Sequence, residues 1–138
     1  MLYSIEKIIE STLLWLIARI CIAFLFLSSG LAKIFDTQSS FQEIQAAGLE
    51  PVWFFNYATA FVLILGSALI LLNRYLWLGS GILSLFLLLT IFIVHNFWTM
   101  TPPQSNISMY FAFEHVAVIG GLISVSIASH FRKKQFNS

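Results

Sequence analysis

The chemistry available to this sequence rests on few side chains. Glu114 and His115 stand together inside an apolar run, Phe111-Ala-Phe-Glu114-His115-Val-Ala-Val-Ile-Gly120-Gly121. Lys33, Asn56 and His95 sit near the ends of three other apolar runs, and Arg19 lies within the first. An imidazole beside a carboxylate and an ammonium exchanges protons near neutral pH and hydrogen-bonds polar head groups. In hydrocarbon, each charge costs several kcal/mol unless it is paired or wetted. These residue types predict proton exchange or head-group binding, at a place where other elements must supply partners.

Those elements are not the elements of a soluble domain. Hydrophobic residues make up 59% of the chain and charged residues 9%, against roughly 45–50% and about 25% in an average globular protein. Seven Lys and Arg with six Asp and Glu are too few to cover the surface of 138 residues. The excess of Phe and Leu is lipid-facing surface, and the chain reads as an integral membrane protein. A net charge of +1 implies no polyanion partner, and nothing supports nucleic acid binding. The one basic cluster, Arg132-Lys133-Lys134, follows an apolar run and anchors a helix end to head groups. Cys21 is the single cysteine, so neither an intrachain disulfide nor a C-x-x-C pair exists. It reads as a small buried hydrophobe.

A membrane helix takes about 20 mostly apolar residues. Four runs qualify, at about 12–35, 53–72, 76–97 and 110–131, within a single membrane domain, 1–138. Only Asn73-Arg74-Tyr75 separates the second from the third, which makes them an antiparallel hairpin. The first connection holds an amphipathic stretch, Phe41 to Ala47, stopped by Gly48 and Pro51. It predicts a short interfacial helix. The third connection carries Pro102-Pro103, with Asn106 or Ser108 as the cap of the last helix. Residues 1–11 form an amphipathic lead with two acids, and the run behind it is too long for a cleaved signal peptide. The expected fold is all-α, an antiparallel up-down four-helix membrane bundle. Lys7, Arg74, Arg132, Lys133 and Lys134 collect on one side and only Lys33 on the other. By the positive-inside rule both the N- and C-termini are cytoplasmic, and the 36–52 and 98–109 connections face out.

Helical spacing then places the polar residues. Arg19, Ala23, Phe26, Gly30 and Lys33 share one stripe, the two cations about 21 Å apart along the axis. Arg19 falls in the inner leaflet with a structural role, and Lys33 at the outer interface. Asn56, Ala60, Leu63 and Ser67 share a face of the second helix, and Ser84, Leu88, Ile91 and His95 a face of the third. In the fourth, Glu114, Ala117, Gly121, Ser124 and Ala128 form a stripe of mostly small residues, which predicts close inward packing. Lys33, Asn56, His95, Glu114 and His115 are expected around one outer-leaflet cavity, with a Lys33–Glu114 ion pair flanked by His95. Plainer roles stand beside these. Lys33 snorkels to head groups, Glu114 meets interfacial water, His95 satisfies a carbonyl, and Arg19 pairs with lipid phosphate. His95, His115 and Glu114 would make a two-His-one-carboxylate metal set. Adjacent Glu114 and His115 diverge by about 100°, so no metal site is expected. Neither a P-loop nor a G-x-S-x-G motif occurs.

Five segments carry a resemblance. They are Arg19-Ile-Cys-Ile-Ala-Phe-Leu-Phe-Leu-Ser-Ser-Gly30-Leu-Ala-Lys33, Ala47-Gly48-Leu-Glu-Pro51, Leu65-Gly66 through Asn73-Arg74, His95-Asn-Phe97-Trp98, and Glu114-His115-Val-Ala-Val-Ile-Gly120-Gly121-Leu. In this order and spacing they resemble the DoxX family of small four-helix membrane proteins, over about residues 15–128. Two positions depart from the family's pattern. Val62 stands where many members carry a glutamate, and Glu114-His115 where they usually have Lys-Asn. The two changes predict that Glu114 replaces the lost acid as counter-ion to Lys33. The resemblance implies a multi-pass protein of a bacterial inner membrane, working in redox or redox-stress physiology with a membrane or periplasmic oxidoreductase. It leaves open whether the chain is itself an enzyme. No cofactor is evident in the sequence, and a quinone is the group the resemblance implies. The alternative is a non-catalytic scaffold or assembly factor whose ion pair is purely structural. A proton-coupled transporter is a third reading, disfavoured because four helices without a repeat leave little room for alternating access.

Overall fold

The computed structural model describes residues 2–136, and every regular element in them is a helix. In chain order these are α1 (Leu2–Ile9), α2 (Thr12–Phe35), α3 (Thr37–Ala46), α4 (Val52–Leu71), α5 (Leu76–Ile93) and α6 (Gln104–Phe136), with one 3-10 turn at Phe97–Thr99. Local chemistry sets the boundaries. Ser11 caps α2 by accepting from Leu14 N–H at 3.2 Å, and Asp36 caps α3 by accepting from Ser39 N–H at 3.3 Å. Gly48, at φ 71°, closes α3 as Gly48 N–H bonds Gln45 C=O and Leu49 N–H bonds Ile44 C=O. Asn73 closes α4 the same way, at φ 54°, through its own bond to Ile70 and that of Arg74 to Leu69. Both are Schellman closures, which need a left-handed residue after the last turn.

Helices α2, α4, α5 and α6 are long and apolar enough to cross a membrane. They run up and down as an all-α bundle. One end carries the Asn73–Tyr75 turn, α1 and the last turns of α6; it is called the turn end below. The other carries α3 and the connection to α6, and is called the loop end. The most extensive packing is between α2 and α4, followed by α5 with α6 and α4 with α5, whereas α2 and α6 meet only briefly. Two glycine contacts set the close approaches. A Cβ on Gly30 of α2 would lie 2.8 Å from Ile64 Cγ1 of α4, and one on Gly79 of α5 would lie 2.9 Å from the Gly66 carbonyl oxygen of α4. Ala23, Phe26, Leu63, Ile70, Leu83 and Leu122 fill the centre. Phe24, Phe61, Phe92 and Phe113 point outward, as a lipid-facing surface requires.

The inward stripes of α2 and α4 hold the residues that periodicity puts there: Arg19, Ala23, Phe26 and Gly30, and Asn56, Ala60, Leu63 and Ser67. Helix α5 is rotated from the Ser84–Leu88 face. It buries Gly79, Ser80, Leu83, Leu87 and Ile91 and exposes Leu88, because the Gly79–Gly66 approach fixes its rotation. Cys21 is exposed on α2, not buried, since the Arg19–Ala23 stripe takes the inner face. Helix α6 starts at Gln104, six residues before 110, directly behind Pro102-Pro103. Asn106 and Ser108 are therefore internal to the helix and not its caps. Its 33 residues span about 50 Å, against roughly 30 Å of hydrocarbon.

Candidate functional site

At the loop end, α3 folds back over the end of α2. Lys33 Nζ meets Glu43 Oε2 at 3.2 Å, with the lysine side chain 12% exposed and the glutamate 71%. Asn56 is fully buried in α4, and its Nδ2 donates to the Lys33 carbonyl at 2.9 Å. Phe41 of α3 meets Tyr57 of α4 edge-on, their centroids 6.2 Å apart. Lys33, Glu43 and Asn56 thus tie α2, α3 and α4 together.

This geometry corrects the Lys33–Glu114 pairing. Lys33–Glu43 is the only ion pair among the described residues. Its acid lies ten positions downstream, on a helix that Asp36 starts immediately after α2. Glu114 is exposed, not inward-facing. Helix α6 turns Ala112, Leu122, Val125 and Ser129 into the bundle, so its small-residue stripe faces the open side towards α2. The compensation expected between Val62 and Glu114 is overturned with it, because Glu43 supplies the counter-ion. Of the five residues expected around one cavity, Lys33 and Asn56 lie together, His95 and His115 form a separate pair, and Glu114 is exposed.

His95, just past α5, and His115 of α6 form that pair. Their rings meet edge-on with centroids 5.1 Å apart, and His95 also stacks on Phe111 at 5.1 Å and 23°. Both imidazoles are half-buried, and Phe111 is 45% exposed. His95 therefore flanks His115 and Phe111, not Lys33. Two adjacent imidazoles hold, release and pass protons, and the accessible ring offers a flat apolar surface. Among the described residues no group of three or more His, Cys, Asp or Glu is placed to hold a metal ion.

At the turn end, Arg19 is 8% exposed, and its Nη1 donates to Leu71 C=O at 2.8 Å and Ile70 C=O at 3.4 Å. These are terminal carbonyls of α4, where a helix leaves acceptors unsatisfied and favours a cation. Arg19 thus closes a helix end through two carbonyls of the chain itself. Trp15 lies under two guanidinium groups, Arg19 at 5.4 Å and Arg132 at 5.6 Å from its ring centroid. Sequence reasoning missed Glu43, Phe111 and Trp15 as partners. Only Glu43 carried a signal, seven residues behind the capping Asp36 on a short helix over Lys33.

A family model described as DoxX matches residues 14–96, from α2 through α5. The match ends at the 95–96 edge of the imidazole cluster, so Phe111, Glu114 and His115 lie outside it. No curated protein and no solved structure matches the chain.

Proposed function

The chain belongs to the DoxX family of membrane proteins, and on that footing we propose that it is a membrane subunit in redox or redox-stress physiology that binds a quinone-like head group at His95, Phe111 and His115. The observation that carries this reading is the meeting of two half-buried imidazoles beside a partly exposed ring. A bound quinone would supply two-electron, two-proton carrier chemistry. His95 and His115 hydrogen-bond the head group and carry its protons, while Phe111 stacks against it. The chain has one thiol and no flavin motif, and in this reading a partner oxidoreductase supplies the electrons. The resemblance to the DoxX family implies a bacterial inner membrane, and the Lys and Arg count supports both termini in the cytoplasm with this cluster on the outer side. Native mass spectrometry of gently solubilised protein tests the reading. A retained quinone, lost on substitution of His95, supports it; protein that never retains a quinone sinks it.

A second reading has its own observation. Glu114 is an acid exposed on a membrane-spanning helix, where an uncompensated charge costs more the deeper it lies. A cation on another membrane protein would offset that cost, which makes the chain a scaffold or assembly factor. A stoichiometric protein partner in the same spectra, released by Glu114→Gln, favours this role.

A further inference from the structure

We propose a phospholipid site in the seam between α2 and α6 at the turn end, with the lipid phosphate on Arg132 and Lys134 and an acyl chain along the seam. The bundle is incompletely closed here because α2 and α6 meet only briefly. Leu14, Trp15 and Ala18 form one wall of a mostly apolar cleft and Val125, Ala128 and Phe131 the other. Its volume is about 710 Å³, inside the roughly 300–1,000 Å³ range of ligand sites. An apolar slot with a cationic mouth selects a molecule with a hydrocarbon chain and an anionic head.

The mouth is arranged for phosphate. The Arg132 guanidinium is oriented by the Trp15 ring beneath it and by one hydrogen bond, Nη1 to the Glu10 carbonyl at 3.1 Å. Guanidinium has five N–H donors in a fixed fork that matches phosphate, and Arg132 makes no other hydrogen bond among the described residues. Lys134 also lines the cleft, and its ammonium has neither a hydrogen bond nor an ion pair among the described residues. One acid, Glu10, lies at the rim against these two cations. The charge balance therefore favours a phosphate. The site is remote from the His95–His115 cluster and independent of its function.

Native mass spectrometry of the full chain tests the assignment with three probes: dioleoylphosphatidylglycerol, dioleoylglycerol with the same chains and no phosphate, and inorganic phosphate. The phospholipid is expected as a one-to-one adduct, retained about tenfold better than dioleoylglycerol, with inorganic phosphate unable to displace it. Arg132→Gln is expected to remove that preference. Ala128→Phe, which fills the slot and leaves the mouth intact, is expected to abolish the adduct while the protein still unfolds cooperatively. Equal retention of the two lipids, an adduct unchanged in either variant, or displacement by inorganic phosphate would overturn the proposal.

Discussion

Arg19 of α2 and Leu71 of α4, 52 positions apart in the chain, are joined by a hydrogen bond of 2.8 Å from guanidinium to carbonyl. The bond sits where the α4 dipole is negative and its last carbonyls lack helical partners. Arg19→Met removes a charged donor from two terminal carbonyls of α4, a loss of about 1.5–3 kcal/mol. Unfolding in a fixed detergent should show it. Arg19→Lys should recover only part, because a single ammonium cannot reproduce the planar contact with Trp15.

The Lys33–Glu43 pair should be weak. Glu43 is 71% exposed, and exposed pairs contribute about 0.2–1 kcal/mol. A double-mutant cycle with Lys33→Gln and Glu43→Gln is expected to give a coupling in that range. The matching cycle between Lys33 and Glu114 is expected to give none. A measurable Lys33–Glu114 coupling would contradict the geometry.

Two glycines separate tight packing from open space. A Cβ at Gly79 would meet the Gly66 carbonyl and Leu69 Cβ, both at 2.9 Å, whereas one at Gly120 meets nothing within 4 Å. Backbone oxygen cannot rotate away, so Gly79→Ala should destabilise by about 1–3 kcal/mol. Gly120→Ala should be neutral or stabilising by up to about 1 kcal/mol, since alanine favours the helix. Thermal unfolding of the pair side by side decides it.

His95→Gln and His115→Gln should each reduce quinone retention about tenfold or more. Unfolding should change by less than about 1 kcal/mol, because neither imidazole makes a hydrogen bond among the described residues that holds two helices together. Loss of retention with an equal loss of stability would instead assign the pair a packing role.

Helix period and bilayer thickness are signals carried along the chain, and they made much of the bundle legible. The Arg19–Lys33 stripe, the buried Asn56 face and the 73–75 hairpin followed from spacing alone. Rotation about a helix axis is not such a signal. Residue size on the Glu114–Ala128 stripe argued for inward packing, but the larger surface through Leu122 and Val125 decided how α6 turns. The partner of Lys33 was obscure for a related reason. It depends on where α3 folds back, which the closures at Asp36 and Gly48 set together. The imidazole cluster was half legible. His95 and His115 were both expected near the loop end, while their contact with each other and with Phe111 needed the α5–α6 packing.

The length of α6 makes the protein sensitive to the thickness of its membrane. At about 50 Å the helix exceeds a typical hydrocarbon core by some 20 Å, so it must tilt or stand proud of the bilayer. In a thin membrane its first turns stay wet and Glu114 lies within reach of head groups. In a thicker one the same acid is drawn below them, at a cost that grows with depth. The mismatch ties the cost of burying one carboxylate to the bilayer around it.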